Sequence, residues 1–229
     1  ALGELTLQDA NSQLIAMLSA DKDENVRIAA LHTLKKFNHE KIGDLVFTAL
    51  KDKEQSVRMA GLALVPELNM PVAQVVEMHS LLIKNGTAFE QQAALLSLAN
   101  VKAPEAEAVF RKQMTQLIDG KIAPQVQLEL VTAAEQIGSP ELKQLLADYE
   151  GKKDKNNPLD TYREAIYGGD AEKGVALFRY SNSTQCVRCH MVGSRGNKVG
   201  PDLTTIATRI TPEQMVEALV APAARIAPG

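Results

Sequence analysis

Tryptophan is absent from the 229 residues, and aromatics together make up only 4%. A core without large rings has to be filled by aliphatic and small side chains, which favours closely packed helices over a β-sandwich. Long apolar runs are missing too, and none approaches the ~20 residues that span a bilayer. No charge of one sign dominates. Residues 1–150 carry 14 Lys/Arg against 20 Asp/Glu, or −6, and residues 151–229 carry 11 against 8, or +3. Neither part is basic enough to suggest nucleic acid. Hydrophobic residues nevertheless reach 45%, enough to bury a sizeable core, which excludes a disordered chain. Cysteine is the other scarce residue: there are two, both in one pentapeptide.

What is present is, first, repetition. Asp21-Lys22-Asp23-Glu24-Asn25-Val26-Arg27-Ile28-Ala29-Ala30-Leu31 aligns with Asp52-Lys53-Glu54-Gln55-Ser56-Val57-Arg58-Met59-Ala60-Gly61-Leu62 at an offset of 31 residues. Weaker copies follow, with Phe89-Glu90 heading Ala93-Ala94-Leu95 and Val126-Gln127 heading Leu130-Val131. Taking Val26, Val57, Phe89 and Val126 as equivalent anchors gives spacings of 31, 32 and 37. Such a period marks a solenoid, in which each unit buries its apolar face only by stacking on its neighbours.

Within a unit, apolar residues return at three- and four-residue intervals. Leu14, Ile15 and Leu18 make one helical stripe, and Val26, Ala30, Leu31 and Leu34 make the next. The acidic turn 21–24 between them is placed to cap the second helix. Small residues at Ala29, Ala30, Ala60 and Gly61 allow neighbouring helices to come close. The pattern resembles the HEAT repeat family over roughly residues 10–148, with units shorter than the usual period. That resemblance implies an all-α chain whose residues 1–150 form a HEAT-like α-solenoid. His32, His39 and His79 lie in this part at a spacing that fits no metal motif, and are expected at the surface or at helix ends. Met17, Met59, Met70, Met78 and Met114 are expected to fill gaps in the core or along its edge.

Glu150-Gly151-Lys152-Lys153-Asp154-Lys155-Asn156-Asn157-Pro158 cannot continue an amphipathic helix, so a linker is expected over residues 151–167. Beyond Gly168-Gly169, Asp170 is placed to cap a helix over residues 171–180, with Gly174, Leu177 and Phe178 on one face. It leads into Cys186-Val187-Arg188-Cys189-His190, which reads as a c-type haem attachment site. Two thiols separated by two residues can both reach the vinyl groups on one porphyrin edge, and the histidine that follows becomes the proximal iron ligand. Three other readings stand beside this one. A thioredoxin-type pair needs a βαβ setting, zinc wants four ligands and no second Cys/His pair lies nearby, and a Cys186–Cys189 disulfide would close a small, strained loop.

Gly169-Asp170-Ala171-Glu172-Lys173-Gly174, then Leu177-Phe178, then CxxCH, then Gly200-Pro201-Asp202-Leu203, is an order that resembles the small bacterial cytochromes c. More narrowly, residues 168–229 are similar to the haem-binding domain of planctomycete and verrucomicrobial proteins, where it commonly follows a sugar-dehydrogenase-like β-propeller and HEAT repeats. The resemblance implies one covalent haem c, held by Cys186 and Cys189, with His190 on the iron. Pro201 would supply the carbonyl that accepts from the other imidazole nitrogen, and Leu203 and Phe178 would pack on or near the ring. Arg195 or Lys198 is placed to pair with a haem propionate. Thr211-Pro212-Glu213 starts a further helix. In the related domains the axial methionine comes only after a segment matched here by residues 222–229, so the haem domain is expected to be truncated at its C-terminal end. Met191 and Met215 are the only methionines after His190. The distal ligand is therefore unassigned, and an open or weakly occupied site is expected in preference to Met215.

On this resemblance the chain is expected to be an electron-transfer module and not itself an enzyme. Its haem iron would cycle between Fe(III) and Fe(II), taking electrons from an attached or partner dehydrogenase. The mildly cationic C-terminal part suits an acidic redox partner. The alternatives are a HEAT-repeat interaction scaffold with an accessory haem, and haem-based ligand sensing or catalysis at an open distal site. Covalent haem attachment in bacteria takes place outside the cytoplasm, so a periplasmic or otherwise exported location is expected. The chain is read as a segment of a longer exported protein whose signal lies upstream.

Overall fold

The computed structural model describes residues 7–224. Nine helices make the N-terminal array: α1 (Leu7–Ala20), α2 (Glu24–Lys36), α3 (Ile42–Ala49), α4 (Gln55–Leu64), α5 (Val72–Asn85), α6 (Ala88–Leu98), α7 (Pro104–Ile118), α8 (Pro124–Ile137) and α9 (Pro140–Glu150). Consecutive helices pack as hairpins, and hairpins stack so that α2, α4, α6 and α8 line one layer while α1 and α3, and α5, α7 and α9, line the other. This is an all-α solenoid. Every buried apolar side chain described lies between Leu18 and Tyr149, with Leu31, Leu34, Leu50, Leu98, Phe110, Met114 and Leu130 among the largest. At Gly61 α4 lies close against the end of α3: a Cβ there would meet the Ala49 methyl at 3.3 Å. Ala30 is buried as expected, whereas Ala29 is exposed.

Local chemistry sets the helix starts. Asp23 caps α2, its carboxylate accepting from the Asn25 N–H at 2.8 Å, and Thr87 and Glu90 form a reciprocal capping box on α6. The repeated Val-Arg pair is tied across units by ions. The Arg27 guanidinium donates to both Asp52 oxygens at 2.8 Å and to the carbonyls of Asp21 and Lys22 at 2.8 and 3.3 Å. One unit on, Arg58 donates to the carbonyls of Asp52 and Lys53 at 2.8 and 2.9 Å, and clasps both oxygens of Glu90 at 2.5 and 3.1 Å. The two arginines occupy matching places.

The third unit is out of step with the expected alignment. Phe89 is 58% exposed, while Glu90 is fully buried at 0%. Gln91, not Glu90, makes the arginine's contact to the carbonyl five residues back, donating to Gly86 at 2.9 Å as Gln127 does to Ile122 at 2.9 Å. The structural anchors are thus Val26, Val57, Glu90 and Val126, spaced by 31, 33 and 36. A carboxylate is tolerated in an anchor slot because every side of it is answered: burial pushes its pKa up, but hydrogen bonds from Arg58 and Thr87 together hold it below the usual carboxylate range. A depressed native pKa contributes stability that is present above the unfolded glutamate range and is lost as pH falls through the native value. Glu90→Gln is accordingly expected to lower stability at neutral pH and to flatten its decline in acid. Urea midpoints measured at both pH values check this.

Residues 151–167, expected as a linker, are built into the array. They hold α10 (Pro158–Thr161) and a short 3-10 turn at Arg163–Ile166, and the turn packs on α8. The Tyr149 hydroxyl accepts from the Arg163 guanidinium at 3.0 Å. Lys153, whose side chain is only 7% exposed, bridges Glu150 at 2.6 Å and Glu164 at 2.9 Å. Gly168 lies so close to α8 that a Cβ would be 2.7 Å from that of Leu128, and the Gly169 N–H donates to Glu129 at 2.9 Å. The remaining elements are α11 (Ala171–Tyr180), α12 (Pro212–Val220) and an antiparallel ladder pairing Met191 with Gly196 and Val192 with Arg195. Helix α12 docks on α10 and the following turn, and the Tyr167 hydroxyl donates to its Glu213.

Candidate cofactor site

Asp170 caps α11, accepting from the N–H groups of Glu172 and Lys173 at 2.9 and 3.0 Å. After α11 the chain turns through Gln185, whose φ of +51° lies in the left-handed region, into a 3-10 turn at Cys186–Arg188. The N–H groups of Cys189 and His190 both donate to the Cys186 carbonyl, at 3.2 and 2.9 Å. The pentapeptide is therefore wound as a single helical turn. Positions i, i+3 and i+4 of such a turn share one face, which gathers Cys186, Cys189 and His190. Both cysteines are free thiols, Cys186 half-buried and Cys189 exposed.

The loop that follows wraps back over this turn through backbone bonds. Asn197 donates to the Val187 carbonyl at 3.1 Å, Gly200 to Cys189 at 2.7 Å, and Leu203 to Met191 at 2.9 Å. The His190 Nδ1 lies 2.9 Å from the Pro201 carbonyl oxygen. A carbonyl only accepts, so in the neutral imidazole this contact selects the tautomer with the proton on Nδ1 and the lone pair on Nε2. Two glycines make this closeness possible. A Cβ at Gly200 would fall 2.8 and 2.9 Å from ring atoms of His190, and one at Gly196, where φ is +107°, would fall 2.1 Å from the His190 carbonyl oxygen. In sequence Gly200 stands only as part of the Gly200-Pro201-Asp202-Leu203 run, and Gly196 only as a loop residue. Gly200→Ala is expected to push the imidazole off the Pro201 carbonyl, removing a hydrogen bond worth about 1 kcal/mol in addition to the strain. Loss of a slowly exchanging imidazole N–H resonance in proton NMR spectra is the corresponding observable.

No described residue from 165 to 224 is buried. Leu177 is 57% exposed, Val199 82% and Leu219 82%, and Phe178, His190 and Leu203 are half-buried. Backbone bonds and turns hold this segment. Two thiols and an imidazole on one turn are the donor set that a covalently held haem takes. The residues thus fit a covalently held haem. For the other readings, the ladder is two residues long and no βαβ unit is formed among the described residues. Nor is any group of three or more His, Cys, Asp or Glu among them arranged to hold a metal ion.

Arg195 donates to the Tyr180 hydroxyl at 3.1 Å, joining the loop to α11, and Lys198 is exposed. Met191 and Met215 are both half-buried. His32 is exposed, and His39 is half-buried, accepting from the Lys41 N–H at 3.1 Å. His79 is not the surface histidine expected. It is buried, donates from Nδ1 to the Val75 carbonyl at 2.7 Å and contacts the Ser97 hydroxyl through Nε2 at 2.9 Å, so neither nitrogen is left for iron. Burial pushes its pKa down, against the Val75 hydrogen bond. Of the segment 222–229 used to place the domain's end, residues 225–229 lie outside the described residues.

Fold and site together define a helical-repeat protein with a loop-built C-terminal segment docked on its last hairpins. Residues 1–73, the first two units, match the family model of HEAT repeats. No curated protein and no solved structure matches the chain.

Proposed function

We propose that residues 168–229 form a c-type cytochrome module carrying one covalent haem c, and that the chain transfers single electrons. The observation that carries this reading is the constellation around His190. Both thiols and the imidazole share one helical turn, and Nδ1 is committed to Pro201 at 2.9 Å, leaving Nε2 as a donor. When bound, haem supplies the Fe(III)/Fe(II) couple, with its potential set by the axial ligands and surroundings. Cys186 and Cys189 would hold the porphyrin by thioethers. His190 would ligate iron through Nε2, with the Pro201 carbonyl fixing its tautomer and raising its basicity. Phe178 and Leu203 would supply apolar contact to the ring. HEAT repeats are interaction modules, and in this reading the array positions the haem segment for an attached or partner dehydrogenase. Catalysis of substrate oxidation belongs to that partner, and the setting is periplasmic or otherwise exported.

The test is an anaerobic redox titration followed in the visible spectrum. One single-electron wave per chain is expected, and a chain without a redox-active visible band would overturn the proposal. No residue besides His190 is assigned to the iron, so added imidazole or cyanide would be expected to saturate at low concentration and shift the Soret band. Failure to bind, with loss of an iron–methionine charge-transfer band in Met215→Ala, would assign that ligand to Met215 instead.

A further inference from the structure

The ladder of charges between units reverses at its third rung. In the first, Arg27 meets Asp52, which lies six residues before Arg58. In the second, that place is Asn85, six before Gln91, and Glu90 supplies the carboxylate for Arg58. In the third, the arginine's place is Gln91, and the place of Asp52, six before Gln127, is Lys121. Where the first two rungs hold their own acid, the third holds a base.

The result is a groove of about 500 Å³ between α5, α6, α7 and α8. Lys84, Lys112 and Lys121 line it, its floor includes Ile83, Leu95 and Val126, and no carboxylate is among its lining residues. Lys121 reaches Asp119 at 2.9 Å in an exposed pair. Neither Lys84 nor Lys112 forms an ion pair among the described residues. The groove opens beside the start of α8, which has no side-chain cap, so the positive end of that helix dipole adds to the lysines. All this lies in a part of the chain whose net charge is −6.

We propose that this groove docks an acidic segment of a partner protein, its carboxylates against Lys84 and Lys112 and an aliphatic side chain on the apolar floor. A polynucleotide fits less well. The lining contains no aromatic ring for a base to stack on.

Fluorescence anisotropy on the full chain tests this with a labelled peptide of repeating Leu-Glu-Glu and its Leu-Gln-Gln counterpart. The acidic peptide is expected to bind about tenfold more tightly than the neutral one, and Lys84→Glu with Lys112→Glu should weaken it by about the same factor. Lys22→Glu with Lys53→Glu, in the corresponding groove of the first rung, is expected to leave binding unchanged. Equal affinity for both peptides, equal loss in the first-rung variant, or equally effective competition by a single-stranded oligonucleotide would each overturn the proposal.

Discussion

Val57→Asp is expected to weaken the array by several kcal/mol or to abolish its cooperative unfolding, since a domain's total stability is only about 5–15 kcal/mol. Val57 is fully buried, and the guanidinium nearest in sequence, that of Arg58, is already committed to Glu90 at 2.5 and 3.1 Å. A carboxylate at 57 would have neither water nor a free cation. The repeat leads one to expect Val26, the equivalent residue of the first unit, to be buried as well, but it is only half-buried. Val26→Asp is therefore expected to cost about 1 kcal/mol. Urea unfolding followed by far-UV circular dichroism separates the two. Equal losses would contradict a stack in which each unit covers the anchor of the next.

The second large effect is at the cysteines. Cys186→Ser and Cys189→Ser are each expected to weaken or abolish stable haem incorporation, because two thioethers need both thiols, and the double variant should retain none covalently. Neither thiol is buried, so serine at these positions leaves the helical array undisturbed. Unchanged far-UV dichroism with lost haem is the expected combination. A double variant whose intact mass still includes haem would contradict the assignment of these two residues.

The parts of this molecule legible in sequence are those whose chemistry is local. CxxCH is a matter of spacing on one turn, and Asp23 and Asp170 cap the helices that start beside them. The equivalence of Arg27 and Arg58 is legible because residues 21–31 and 52–62 are identical at six of eleven positions, the Val-Arg pair among them. The third unit was misaligned for a physical reason. Apolar periodicity favours Phe89 as the buried residue, and nothing near Glu90 in sequence announces that Arg58, 32 residues earlier, neutralises it. The 151–167 segment misled in the same way. Its lysines and acids read as solvent-seeking, yet the side chains of Lys153 and Glu164 are buried against each other and Arg163 caps the Tyr149 hydroxyl. Gly196 and Gly200 matter through steric closeness to His190 across a loop, a relation that exists only once the loop is folded. Paired charges and tight glycines need the fold to be read, whereas caps and stripes do not.

The claim that this chain carries covalent haem is tested most directly by acidified-acetone extraction of the protein matured in cells that attach haem c. The colour and the added mass of one haem are expected to stay with the polypeptide. Haem released into the organic phase, leaving a chain of unmodified mass, would contradict it.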